Sequence, residues 1–355
     1  MRLHTPYYFS AGALIAARDF AARCLISRFT FAYSRHGFYQ TQRKRQILVP
    51  TKPHESLSGA GRLKVRPIKT EKEFENVVIN ALVKEGWGPG LHDAECFMAC
   101  DPTAGFVGEL NGKPIGCVTV AKYGDSFAFP GCYIVSNEYR KKGYGKEIYE
   151  AAYARWKSFP SIGTIAALQQ EKMNQRYGFR SLFYGAFFVF IIPATIGCFS
   201  ETWIRPPVKI KCIEDVNMKS LFMYNTKVFG FERHSFLSKW LCAPGSYARV
   251  AIDSEGSIVG YTVARPTFIK ASYKIGPLYA DSEPIAEKLL KAVFEELRHE
   301  KPVPVVCIDA PTEKGTKLCE RLGGKRSLEL AYMVMNNIPD ACFDKWFACT
   351  TVQFG

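Results

Sequence analysis

No C-x-x-C pair occurs among the twelve cysteines, which are scattered and mostly set among apolar residues. Neither a zinc ribbon nor a disulfide framework is indicated, and a reducing compartment fits best. The six histidines (His4, His36, His54, His92, His234, His299) never recur at metal-ligand spacing, so no metal is expected. Acids are scarce at one end: residues 1–54 hold nine Lys/Arg against a single acid, Asp19. That segment carries more than half of the formal net charge of +14. The remainder is an ordinary basic excess without aromatics interleaved among Lys/Arg runs, so no nucleic-acid partner is expected. Long apolar runs are also rare. Residues 181–200 are free of charge for 20 residues, the length a membrane helix needs. Phe, Tyr, Val and Ile dominate its first half, and Gly185 and Pro193 interrupt it, so apolar strands are favoured and no integral membrane span is expected.

What is present is material for a folded core. Hydrophobic residues make up 47% of 355, with 26 Phe and 18 Tyr, which excludes a mostly disordered chain and allows two domains. The basic leader, residues 1–60, has Arg18, Arg23 and Arg28 spaced among small and apolar residues, and it looks like a mitochondrial transit peptide. Arg18-Asp19 breaks the apolar stretch Ala11–Ala17 too early for a secretory signal. The alternatives are an extension with no address and a cytoplasmic protein.

From Leu63 the pattern reads strand, helix (Glu71–Lys84), strand (Gly105–Leu110), a turn at Asn111-Gly112, and strand (Pro114–Ala121). Strand Ser126–Val135 then feeds through Arg140–Gly145 into helix Lys146–Lys157, followed by strand Ile162–Leu168, a short helix, and strand Leu182–Ile192. From Val208 the same order recurs, through strands Ser272–Ala280 and Val303–Asp309, the amphipathic helix Pro284–Arg298, and strand Leu328–Met335. A unit of about 140 residues is too long for a solenoid, so the expectation is two tandem domains of mixed α/β sheet, 61–200 and 208–355, with Glu201–Pro207 as linker.

Arg140-Lys141-Lys142-Gly143-Tyr144-Gly145 lies where a strand turns into a helix, which makes it a natural anion site. The first helical turn leaves N–H groups unpaired at the positive end of the helix dipole. Gly143 and Gly145 admit a phosphate close to the backbone, while Arg140, Lys141, Lys142 and Lys146 add charge. This strand, loop and helix, followed by Tyr177-Gly178-Phe179 before another strand, closely resembles the acetyl-CoA-binding and closing motifs of the GNAT (Gcn5-related) N-acetyltransferases over residues 62–192. Residues 208–336 resemble a second GNAT-type domain by element order, as in tandem proteins similar to the YitH-like acetyltransferases.

The resemblance implies acetyl-CoA as co-substrate, two strands that part in a V, and an amine acceptor that is a small molecule or a protein. Main-chain groups near Ile134 and Val135 would hold the pantetheine arm, and amides of residues 141–146, Tyr144 included, the pyrophosphate. Where the family often has a general-acid Tyr, four residues before the Gly of its Gly-Phe pair, this chain has Asn174. Tyr177 is the substitute candidate, and Glu109 the candidate general base, with packing and surface roles as the alternatives. The second domain has Asp281-Ser282-Glu283-Pro284 in place of the basic Gly loop, so Asp281 or Ser282 reads as a helix N-cap and no acyl-CoA is expected there. It is expected to cover or complete the acceptor site of the first, with Glu232, Arg233 and His234 as candidate lining. Two other functions fit the pattern: glycine N-acyltransferase-like conjugation, or acyl-CoA binding without catalysis.

Overall fold

The computed structural model describes residues 62–200 and 207–355. The basic leader and most of the expected linker lie outside the described residues. The first half runs β1 (Leu63–Pro67), α1 (Glu71–Phe74, a π turn Glu75–Ile79, then Asn80–Lys84), α2 (Asp93–Cys100), β2 (Gly105–Leu110), β3 (Lys113–Tyr123) and β4 (Phe127–Val135). It continues with α3 (Tyr144–Trp156), β5 (Ser161–Ala167), α4 (Glu171–Arg176) and β6 (Arg180–Ile191). The second half repeats that order: β7 (Lys209–Cys212), α5 (Met218–Phe229), α6 (His234–Leu241), β8 (Tyr247–Ile252), β9 (Ile258–Pro266) and β10 (Ser272–Ala280). Then follow α7 (Glu283–Leu297), β11 (Val305–Ala310), α8 (Glu313–Arg321), β12 (Lys325–Asn336) and a short β13 (Trp346–Ala348).

Local chemistry accounts for many boundaries. Thr70 caps α1 by accepting from the Glu73 amide, and the Glu73 carboxylate accepts from the Lys69 amide in return. Asn111 and Gly112 both take positive φ, 53° and 75°, the two-residue turn that matches hairpin twist. In α7 the residues Ile285, Leu289, Val293 and Leu297 recur on one face, and all are buried.

The strands form one mixed sheet in the order β1-β2-β3-β4-β5-β12-β6-β11-β10-β9-β8-β7, with β13 paired to β10. The two halves exchange their last strands. β12 lies antiparallel between β5 and β6, and β6 lies between β12 and β11. This explains the charge-free run at 181–200. β6 is central and buried on both faces, with Phe187 and Val189 in one core and Ala186, Phe188 and Phe190 in another. Among the described residues no helix is long and apolar enough to cross a membrane.

On one face of the sheet a single core, including Phe97, Phe127, Phe187, Trp240, Tyr279 and Trp346, spans both halves. There α2 of the first half packs on α6 of the second, and a buried ion pair, Asp93 to Arg265 at 2.6 Å, ties α2 to β9. On the other face each half has its own core, beneath α3 and beneath α7.

Candidate functional site

β4 and β5 pair in parallel only at Phe127↔Ser161 and Ala128↔Ile162. Beyond that point β4 keeps its partners on β3 but leaves β5, so the two strands part toward their C-terminal ends. β4 also bulges there. Between the pairs Thr119↔Gly131 and Cys117↔Ile134, the residues Cys132 and Tyr133 face Val118 alone, and Cys132 has φ 45°. Such a bulge re-aims main-chain groups, and positive φ at a non-glycine residue marks local strain at a place where the fold demands it. Thr164 of β5 reaches across the base of the opening and donates to the Pro130 carbonyl at 3.0 Å.

After β4 the chain makes one 3₁₀ turn (Asn137–Tyr139) and then the basic loop. Lys141 and Gly143 both take positive φ, 62° and 90°, and Gly143 stands just before the first turn of α3. Among the described residues no hydrogen bond reaches the main-chain N–H groups of Lys142, Gly143, Tyr144 or Gly145. These four donors, at the positive end of a 13-residue helix and beside exposed Lys141, Lys142 and Lys146, fit a pyrophosphate. A Cβ at Gly145 would collide with the Tyr133 hydroxyl, so only glycine allows this packing of helix on strand. Arg140 also braces the loop: its Nε donates to the Val135 carbonyl at 2.6 Å and its Nη2 to Glu85 at 2.5 Å, fastening the end of β4 to the end of α1.

A continuous cavity of about 350 Å3 runs from this loop through the strand opening to the opposite face of the sheet. Its outer part is lined by Ile134, Val135, Arg140, Lys141 and Gly145, with Tyr149 from α3 and Asn174 from α4. Gly131, Cys132, Thr164 and Ile165 line the passage. The inner chamber is bounded by Trp87, Phe187, Leu328, Leu330, Asp309 and Gln353. Leu328, Leu330, Asp309 and Gln353 come from the second half, so the inner chamber is built by both. Trp87 is held by a loop docked on the second half, where the Leu91 amide donates to the Pro266 carbonyl and the Phe268 amide to that of Pro89, both at 3.0 Å.

The remaining candidates sit outside the cavity wall. Lys142, Gly143 and Lys146 are exposed at its mouth beside Tyr144. Tyr177 packs on Tyr149 with ring centroids 4.4 Å apart and does not line the cavity. Glu109 is held by two hydrogen bonds from Arg66, at 2.6 and 3.1 Å, on β2. Arg233, expected at the cleft, is instead in the core. It stacks 3.7 Å from the Phe229 ring centroid and donates to Asn225 at 2.9 Å, while His234 stacks on Phe222. Sequence reasoning missed Tyr149, whose apolar helix neighbours read as core, and Asp309, which reads as an ordinary strand end. Among the described residues no cluster of His, Cys, Asp and Glu is arranged to hold a metal.

The second half has the same opening and fills it. β10 and β11 pair from Ser272↔Val305 to Ile275↔Ile308 and then part. β13 enters the gap, pairing with β10 at Leu278↔Ala348 and Tyr279↔Trp346, while the Cys349 amide donates to the Asp309 carbonyl at 3.1 Å. Thr312 donates to the Trp346 carbonyl at 2.6 Å, and a Cβ on Gly315 would collide with the Phe347 carbonyl. Ser282 is the N-cap of α7, and Asp281 accepts from Tyr224 at 2.7 Å and from Lys345 at 2.8 Å. The chain's own strand and side chains thus occupy the second slot.

A parted strand pair occurs twice, open beside a bulge and an amide-rich helix start in the first half and filled by β13 in the second, the arrangement of two related acyltransferase-type domains. The chain belongs to the GNAT superfamily, with two GNAT domains in tandem: residues 73–176 match the acetyltransferase (GNAT) family and residues 221–345 an acetyltransferase (GNAT) domain. It is 26% identical over 230 residues to the holothin acyltransferase of a Pseudoalteromonas strain, covering 65% of this chain and 73% of that protein. The fold is similar to a putative acetyltransferase from Pyrococcus horikoshii, with TM-score 0.64, 17% identity and coverage of 86% of this chain and 99% of the other. It is also similar to a tandem GNAT protein from the clavulanic acid biosynthesis pathway, with TM-score 0.56, 15% identity and coverage of 77% and 98%.

Proposed function

We propose that this GNAT protein transfers an acyl group from acyl-CoA, acetyl-CoA in the first instance, to the nitrogen of an amine, and that it does so at one site per chain. The observation that carries this is a cavity whose lining runs from the amide-rich loop of α3 to a chamber on the far side of the sheet, while β13 fills the corresponding opening of the second half. The thioester is already activated, so the protein's work is to align the amine and stabilise the developing oxyanion. A main-chain N–H at the bulge of Cys132 to Val135 would serve the oxyanion. The acceptor sheds one proton to solvent to become the neutral amine, its nitrogen forms the C–N bond as the C–S bond breaks, the departing thiolate takes a proton from a donor in the cavity, and the nitrogen's surplus proton returns to that donor by way of solvent.

Tyr149 is the proposed donor of that proton. It lines the cavity with Asn174, whose amide cannot act as an acid, and burial pushes its hydroxyl well above the ordinary tyrosine value, keeping it protonated. Kinship with an enzyme named for acylating holothin supports acyl transfer, and the largely apolar inner chamber leaves room for longer acyl groups as a second reading. A series of acyl-CoA chain lengths separates the two.

Calorimetric titration of acetyl-CoA into the full chain tests the site. Gly143→Glu places a negative charge among the loop amides; a Cβ there meets nothing within 4 Å but is strained by the φ of 90°, so Gly143→Ala, with the strain and without the charge, is the matched control. Micromolar binding by the parent and loss in the folded variant is the expected result; no binding by the parent sinks the reading. The segment 1–60 is proposed as a mitochondrial import signal, and a reporter fused to it that stays diffuse in the cytosol would refute that.

A further inference from the structure

The inner chamber holds one polar group for which the acyl-transfer step has no use. Asp309 stands on β11, opposite Phe187 of β6, and lines the cavity although its side chain is only 4% exposed. Its Oδ2 lies 2.7 Å from Nζ of Lys274, which is itself buried and does not line the cavity. Oδ2 is buried and has no hydrogen-bond partner besides this ion pair, and Oδ1 accepts none of the side-chain hydrogen bonds of the described residues. A buried carboxylate is costly unless its oxygens are satisfied. Here a cation holds one oxygen from behind, and the other is left to whatever enters the chamber. The neighbouring walls, Trp87, Phe187, Leu328, Leu330 and Val352, are apolar apart from the uncharged amide of Gln353, whose Oε1 accepts from the Thr351 hydroxyl.

We propose that Asp309, supplied by the second half, binds the acceptor, and that the acceptor is a primary ammonium on an apolar or aromatic body. This rests on the acyl-transfer reading above. Coulomb attraction in a chamber poor in water favours a cation beside Asp309 and opposes a second carboxylate. Arg140 and Lys141, the cationic residues that do line the cavity, stand at its other end. An α-amino acid such as glycine or phenylalanine would carry its own carboxylate against Asp309, so amino-acid conjugation is disfavoured.

The test uses the full chain saturated with free CoA, with 2-phenylethylamine as probe and phenylalanine as the matched compound that adds a carboxylate. Calorimetry near neutral pH is expected to show the amine binding at least about tenfold more tightly than the amino acid. Asp309→Asn is expected to weaken the amine by at least about tenfold and leave CoA affinity unchanged. In turnover assays the same variant raises KM for the amine with kcat little changed. Because Asp309→Asn removes the carboxylate 2.7 Å from the buried Lys274 ammonium, a double variant, Lys274→Met with Asp309→Leu, removes both members of that ion pair at similar volume. It is expected to fold, to bind CoA like the parent and to lose the amine. No amine binding by the CoA-saturated parent, equal binding of phenylalanine, or unchanged amine affinity in either folded variant overturns the proposal. Failure of the parent to bind CoA overturns instead the acyl-transfer reading beneath it.

Discussion

Cys132 is the one thiol among the cavity-lining residues, and its position at the bulge invites a role as acyl-carrying nucleophile. Its environment argues against that, because burial pushes its thiol up to about 12 and almost none is thiolate at neutral pH. Iodoacetamide near pH 8 is therefore expected to label exposed Cys198 long before Cys132, and mass spectrometry of the intact protein should find no acyl-enzyme. Cys132→Ala should keep kcat within about threefold, as befits direct transfer without a covalent intermediate. Tyr149→Phe is the contrasting case: kcat is expected to fall by about 10²-fold with acyl-CoA affinity unchanged, measured by thiol release. Retained activity would move the proton donor elsewhere. Of these residues the basic loop was legible in the sequence, because glycines and lysines at a strand-to-helix junction carry local chemistry. Tyr149 and Asp309 were not, since a buried tyrosine and a strand-end acid look the same whether or not a cavity lies beside them.

Among the elements, β13 has the largest effect for its three residues. Trp346 is fully buried, lies 5.2 Å from Tyr279 and 5.0 Å from Phe343 by ring centroid, and donates to the Val228 carbonyl at 3.0 Å. Trp346→Ala is expected to destabilise the chain by about 3–5 kcal/mol in urea titration. Because β13 fills the second slot, that variant should still bind one acyl-CoA per chain; two would show the slot to be usable. Most element spans were readable from periodicity, and strand Ser272–Ala280 and the Asn111-Gly112 hairpin stand where the pattern puts them. The fate of the C-terminal segment was not. Of the apolar C-terminal segment only Trp346–Ala348 pairs as a strand. The chain beyond it leaves β10 and passes Gly131, where a Cβ would collide with the Gln353 carbonyl.

At the scale of the molecule, the exchange of β6 and β12 makes the two halves one unit. A first half ending before β7 would lose β12 from between β5 and β6, exposing long apolar edges that invite aggregation. Residues 1–206 or 207–355 expressed alone are expected to be insoluble or self-paired, and co-expressed to assemble into a soluble complex that binds acyl-CoA. Denaturation of the intact chain should show one transition, detected alike by tryptophan fluorescence and circular dichroism. Two separate transitions would mean independent halves. The sequence revealed the repeat but not the exchange, because strand pairing between residues as far apart as Val305 and Ile191 or Leu330 and Ala167 leaves no trace in local periodicity. A duplicated gene segment whose product has lost its ligand slot is ordinarily free to decay or be deleted. Here deleting the half with the filled slot would also take a central strand and part of the chamber wall out of the other half, so the strand exchange ties the retention of the filled slot to that of the open one.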